Sequence, residues 1–161
     1  MKTKTALFFA GLTMMISSAF SQSIDDYLEV AREVLNAEKK AIVAEAISLA
    51  EAETAPFWEL YNEYNAELYK VHSNRVAIIK EFAGNYATMS NEKADDLWSR
   101  SMAYQGELLK LNKIYYKKFK KIIPAGKAAL YFQVENKIAT MISAQLALEI
   151  PLVEINEYLN N

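Results

Sequence analysis

The chain has 161 residues, 52% of them hydrophobic and 24% charged, with a formal net charge of -2, which suits one folded domain. Four Gly and three Pro are too few for a loop-rich sandwich, a collagen-like repeat or a disordered linker, and long helices are what remains. With no Cys and a single His, disulfides, zinc ribbons, thiol nucleophiles and multi-histidine metal centres are excluded.

Met1-Lys2-Thr3-Lys4 is a short basic start, Ala6 to Ile16 is apolar, and Ser17-Ser18-Ala19-Phe20-Ser21 supplies small residues for a signal peptidase. Residues 1–21 therefore read as a secretory signal peptide cleaved after Ser21, the apolar run being shorter than the ~20 residues that cross a bilayer. Loss of Lys2 and Lys4 takes the net charge from -2 to -4. Residues 22–161 are expected to form a single all-helical domain in the periplasm, held together by packing alone.

Leu28, Ala31, Val34, Leu35, Ile42 and Ile47 recur at mostly three- and four-residue steps and predict a first helix over about 25–49. Lys39 and Lys40 dilute its middle, where a kink or solvation is expected. A second helix over about 51–87 carries Phe57, Tyr61, Tyr64, Leu68, Val71, Arg75, Ile78 and Phe82 in unbroken 4-3 alternation, with only Arg75 polar. Pro56 is expected in its first turn, where a missing amide hydrogen costs nothing.

Ser90 caps a third helix over about 91–122, whose inward residues are expected to be Leu97, Trp98, Leu108, Leu111, Tyr115, Phe119 and Ile122. Pro124 breaks it, and a fourth helix follows over about 125–149, with Ala128, Tyr131, Phe132, Ile138, Met141, Ile142, Leu146 and Ala147 inward. Pro151 ends that helix, leaving a tail that docks through Leu152, Val153 and Ile155 or frays. The fold class is all-α, four helices whose two long central members form an antiparallel hairpin.

No catalytic, cofactor-binding or metal-binding residues are assigned. His72 has Val76 rather than a ligand at i+4 and reads as a helix-flank histidine. Glu63, Glu67, Asp95 and Asp96 read as a solvated face rather than an acid pair. The chain holds no Gly-x-Ser-x-Gly turn, phosphate loop or dinucleotide fingerprint, so it reads as no enzyme.

Lys110, Lys113, Lys117, Lys118, Lys120, Lys121 and Lys127 fall in a stretch, Leu108 to Val134, without one acid. Interleaved Tyr115, Tyr116, Phe119 and Tyr131 make it both cationic and aromatic, suited to acidic unfolded segments, anionic lipid heads or envelope polysaccharide, or else simply a solvated face. The net negative charge argues against nucleic acid. Ten tyrosines exceed what a two-layer helical core readily buries, so some should be exposed as adaptable contacts or lie at the core rim.

Leu49-Ala50-Glu51-Ala52-Glu53 and Ile123-Pro124-Ala125-Gly126-Lys127 sit where L-T-x-x-Q motifs would fall, with Ala50 for Thr and Glu53 for Gln in the first. With Phe57-Trp58-Glu59-Leu60-Tyr61 and the segment Ala128 to Lys137, they make the chain resemble the Spy/CpxP-like periplasmic proteins and their envelope sensor or regulator relatives. The resemblance implies a thin layer or cradle of helices, dimeric, acting without ATP to hold unfolding envelope proteins or to modulate an envelope stress response through a membrane-bound regulator. It places client or partner contact on Lys113, Tyr116, Lys117, Lys120 and Lys121. The alternative is a periplasmic metal or small-ligand sensor on the same fold.

Overall fold

In a computed structural model the described residues are 37–150 and Leu152. The expected signal peptide, the first part of the first helix and nearly all of the tail lie outside them. The chain divides into two compact units between Glu45 and Ala46.

In the first unit the described residues are helical, and this helix, α1, covers described residues 37–46. It stops three residues short of the expected end at 49. Val43 is fully buried and Ile42 is 47% exposed, so the inward position is one residue on from the expected one. Lys39, expected to be solvated, is largely buried.

Three helices make up the described part of the second unit: α2 (Glu51–Asn85), α3 (Asn91–Phe119) and α4 (Ala125–Glu149). Their 35, 29 and 25 residues correspond to rods of about 52, 43 and 37 Å. No strand occurs among the described residues, and the all-α class holds. A short 3-10 turn, Tyr86–Thr88, follows α2 where the second helix was expected to run on to 87.

Ser90 caps α3 as its sequence position demands: its hydroxyl oxygen accepts from the Lys93 amide at 3.2 Å. At its far end the helix stops at Phe119 rather than 122. Residues 120–122 turn, the Ile123 amide donating back to the Phe119 carbonyl at 2.9 Å, and Pro124 then starts α4. Because α2 begins at Glu51, Pro56 falls in the second turn and not the first. Its ring cannot donate to the Ala52 carbonyl, and Ala52 itself is exposed.

Contacts between α2 and α3 run in antiparallel order. Phe57 meets Phe119 with ring centroids 5.3 Å apart, Tyr64 meets Tyr115 at 5.0 Å, His72 meets Tyr104 at 6.0 Å, and Glu81 meets Lys93 and Arg100 near the turn. Helix α4 runs in the same sense as α2, with Tyr131 against Phe57 and Ser143 against Arg75.

The core is concentrated at the end of the three helices nearest the α3–α4 turn. Phe57, Tyr61, Tyr64, Phe119 and Tyr131 are all buried there, Phe119 and Tyr131 packing at 4.6 Å with Phe132 over both. Such ring pairs add about 0.5–1.5 kcal/mol each beyond their area burial. Toward the other end the layer thins. Val71, Arg75, Ile78 and Phe82 are only half-buried, because α4 there presents Ser143 while Met141 and Ile142 are exposed.

Four inward expectations on α3 and α4 are therefore corrected, Ile142 among them at 37% exposed. Trp98 is 66% exposed and Met141 65%, and Ala147 is exposed as well. Trp98 stands one residue on from buried Leu97, which rotates it about 100° off the seam. Tyr104 and Leu60, neither of them expected inside, are buried.

Candidate interaction surface

The acid-free stretch in the sequence is partly neutralised in space. Lys118 Nζ lies 2.7 Å from Glu63 Oε1 and 4.4 Å from the centroid of the Tyr115 ring, whose hydroxyl donates to the same carboxylate at 2.9 Å. Lys127 Nζ lies 2.6 Å from Glu53 Oε2. These partners sit 55 and 74 residues away on α2, beyond the reach of local charge counting.

The lysine contacts lead the causes that hold both Glu53 and Glu63 below the usual carboxylate range, seconded by the Ala50 amide at Glu53 and the Tyr115 hydroxyl at Glu63. The Tyr115 hydroxyl itself is pushed up to about 12, by burial first and then by its bond to Glu63. The remaining members, Lys110, Lys113, Lys117, Lys120 and Lys121, are exposed and have no carboxylate partner among the described residues.

The residues singled out from the sequence divide by position. Lys113, Lys117, Lys120 and Lys121 project from the end of α3 and the turn after it. Tyr116 faces inward at the rim, edge-on to Phe132 at 5.6 Å, with Lys120 Nζ 5.1 Å from its ring centroid. Tyr116 therefore supports Lys120 more than it offers a free ring.

Sequence reasoning missed the apolar part of this surface. Leu109 is 55% and Ile114 43% exposed, and with Gly106, Lys110, Lys113 and Lys117 they line a shallow groove of about 300 Å³ on the outer face of α3. The signal was present in the steps of three and four from 106 to 117, opposite buried Tyr104 and Tyr115. Trp98 and Met102, 50% exposed, extend exposed apolar surface toward the N-terminal end of the same helix.

The two motif-like segments meet. Ala50 is the N-cap of α2, and its amide donates to Glu53 Oε2 at 2.8 Å. That is half of a capping box, since Ala50 has no side-chain oxygen to return the bond. Pro124 holds the equivalent position on α4, and the Glu53–Lys127 pair joins the two helix starts.

The other candidates are held apart or otherwise engaged. Glu63 pairs with Lys118 near the α3–α4 turn, Glu67 with Lys70, and Asp96 with Arg100 at the opposite end of the hairpin. His72 is half-buried, its Nδ1 3.0 Å from the Tyr104 hydroxyl. Among the described residues no group of three or more His, Cys, Asp or Glu is placed to hold a metal ion, and no helix is long and apolar enough to cross a membrane.

No family model, curated protein or solved structure matches the chain.

Proposed function

We propose that the protein is an exported, non-enzymatic helical interaction protein that holds unfolded or partly folded envelope proteins without ATP, in the manner of a periplasmic chaperone or stress modulator. The observation that carries this reading is the outer face of α3. There Leu109 and Ile114 stand exposed beside Lys110, Lys113 and Lys117, followed by Lys120 and Lys121 in the next turn. Unfolded chains expose apolar and charged groups in no fixed order. A surface offering both kinds of contact, with cations on long flexible stems, accommodates many such chains weakly.

The resemblance to Spy/CpxP-like proteins supports the same reading and adds a periplasmic location and a homodimer whose second copy would extend the surface. The test is suppression of aggregation. Purified protein at stoichiometric amounts slows light scattering by an unfolding client, and more so at low salt than at high, since exposed charges are screened. No suppression at either salt overturns the reading.

A further inference from the structure

Arg75 is the one polar residue in a stripe of α2 that otherwise runs Leu68, Val71, Ile78 and Phe82, and it is half-buried. A guanidinium drawn partly out of water normally sits against a carboxylate, because a desolvated charge is costly when unpaired. Here its partners are neutral. Nη1 donates to Ser143 Oγ at 3.1 Å, and the guanidinium carbon lies 5.9 Å from the Tyr104 ring centroid. No carboxylate among the described residues pairs with it.

Beside this cation the thin end of the helical layer opens into a groove of about 400 Å³. Ile78, Ile79, Leu108 and Ile150 give it apolar walls, and Ser101 and Ser143 give it hydroxyls. A largely apolar cleft of this size with a few convergent polar groups is the usual form of a small-molecule site.

We infer that the groove binds a small amphiphilic monocarboxylate, such as a medium-chain fatty acid, with the carboxylate on Arg75 and Ser143 and the chain along Ile78, Ile79 and Leu108. The planar guanidinium fork matches a carboxylate in two parallel hydrogen bonds. Arg75 is the only cation among the described residues of the lining, so a doubly charged phosphate head would keep one charge unmatched. A free inorganic anion would leave the apolar walls in water.

The experiment is calorimetric titration of the purified full chain with decanoate and, separately, with decanol. Decanoate binds saturably and at least roughly tenfold more tightly than decanol, the margin a charge-assisted pair supplies. Arg75→Gln abolishes that preference while the circular dichroism spectrum stays helical, and Ser143→Ala weakens decanoate binding with the fold intact. Absence of saturable decanoate binding, equal affinity for decanol, or an undiminished preference in Arg75→Gln overturns the inference.

Should Arg75→Gln fail to fold, decanoate carrying carbon-13 in its carboxyl group gives the answer on the unaltered protein. Its bound pKa falls below the free value if the guanidinium is the partner, and an unshifted or raised value overturns the assignment. The site does not depend on client holding: decanoate binding by a chain that suppresses no aggregation, or the reverse, separates the two claims.

Discussion

The Tyr64 hydroxyl of α2 donates to Asn112 Oδ1 of α3 at 2.6 Å, in the middle of a ring cluster that also brings Tyr115, Phe119, Tyr131 and Phe132 against Tyr64. One side chain thus supplies both the packing and the polar bond that fix the register of two long helices. A slide of one turn along either rod would move Tyr64 about 5.4 Å away from Asn112 and leave both groups unsatisfied.

Tyr64→Phe keeps the ring and removes the donor, and is expected to cost about 1 kcal/mol, the ordinary net value of a buried hydrogen bond. Tyr64→Ala also empties the centre of the cluster and is expected to cost about 3–5 kcal/mol. Denaturant unfolding followed by circular dichroism measures both, and equal effects would show that the ring contributes nothing beyond its hydroxyl.

Phe57 and Trp98 give a sharper contrast, since both were expected to face inward and only Phe57 is buried. Phe57→Ala is expected to lower stability by about 3–5 kcal/mol. Trp98→Gln should stay within about 0.5 kcal/mol of the parent. The same unfolding measurement decides, and a large loss from Trp98→Gln would mean its ring is covered in solution.

The contrast shows what the sequence made legible. Helix existence and most boundaries followed from apolar spacing, a Ser cap and two prolines, all of which act locally. The depth of burial did not, because it depends on where α4 lies, and no step of three or four in α2 records that α4 presents Tyr131 to Phe57 but only Ser143 to Arg75. The lysine stretch was visible as composition. Its division into Lys118 and Lys127, paired with acids, and Lys113 and Lys117, without a carboxylate partner among the described residues, was not, because the acids that pair stand on another helix.

Two families of ionisable groups set opposite pH limits. Glu53, Glu63 and Glu81 are held below their ordinary range, chiefly by hydrogen bonds from Lys127, Lys118 and Lys93. Their stabilisation is present above the ordinary carboxylate pKa and is lost as pH falls through the lowered folded values. Exposure keeps each contribution small. Lys127→Met is expected to flatten the acid limb of a plot of melting temperature against pH, and an unchanged limb would remove the Glu53–Lys127 pair from the account.

On the alkaline side, burial raises Tyr61 and Tyr115 from an ordinary value near 10 to about 12, and raises Tyr64 and Tyr131 further. Raised acids stabilise the fold fully below the unfolded value and cease to do so as pH climbs through the folded one. Stability is therefore expected to decline from about pH 10 upward. The tyrosinate absorbance of the buried rings should rise late, together with helix loss. A single early step with the helices intact would contradict the burial described here.

Photo-crosslinking decides whether unfolded chains meet the outer face of α3, as proposed. A light-activated residue is placed in turn at positions 102, 109 and 113 on that face and, as controls, at exposed positions 62 and 70 on α2, and each protein is irradiated with an unfolding client. Strong client adducts are expected from 102, 109 and 113, reduced by salt at 113, and few from the controls. Adducts spread evenly over all five positions, or confined to α2, would contradict the proposal.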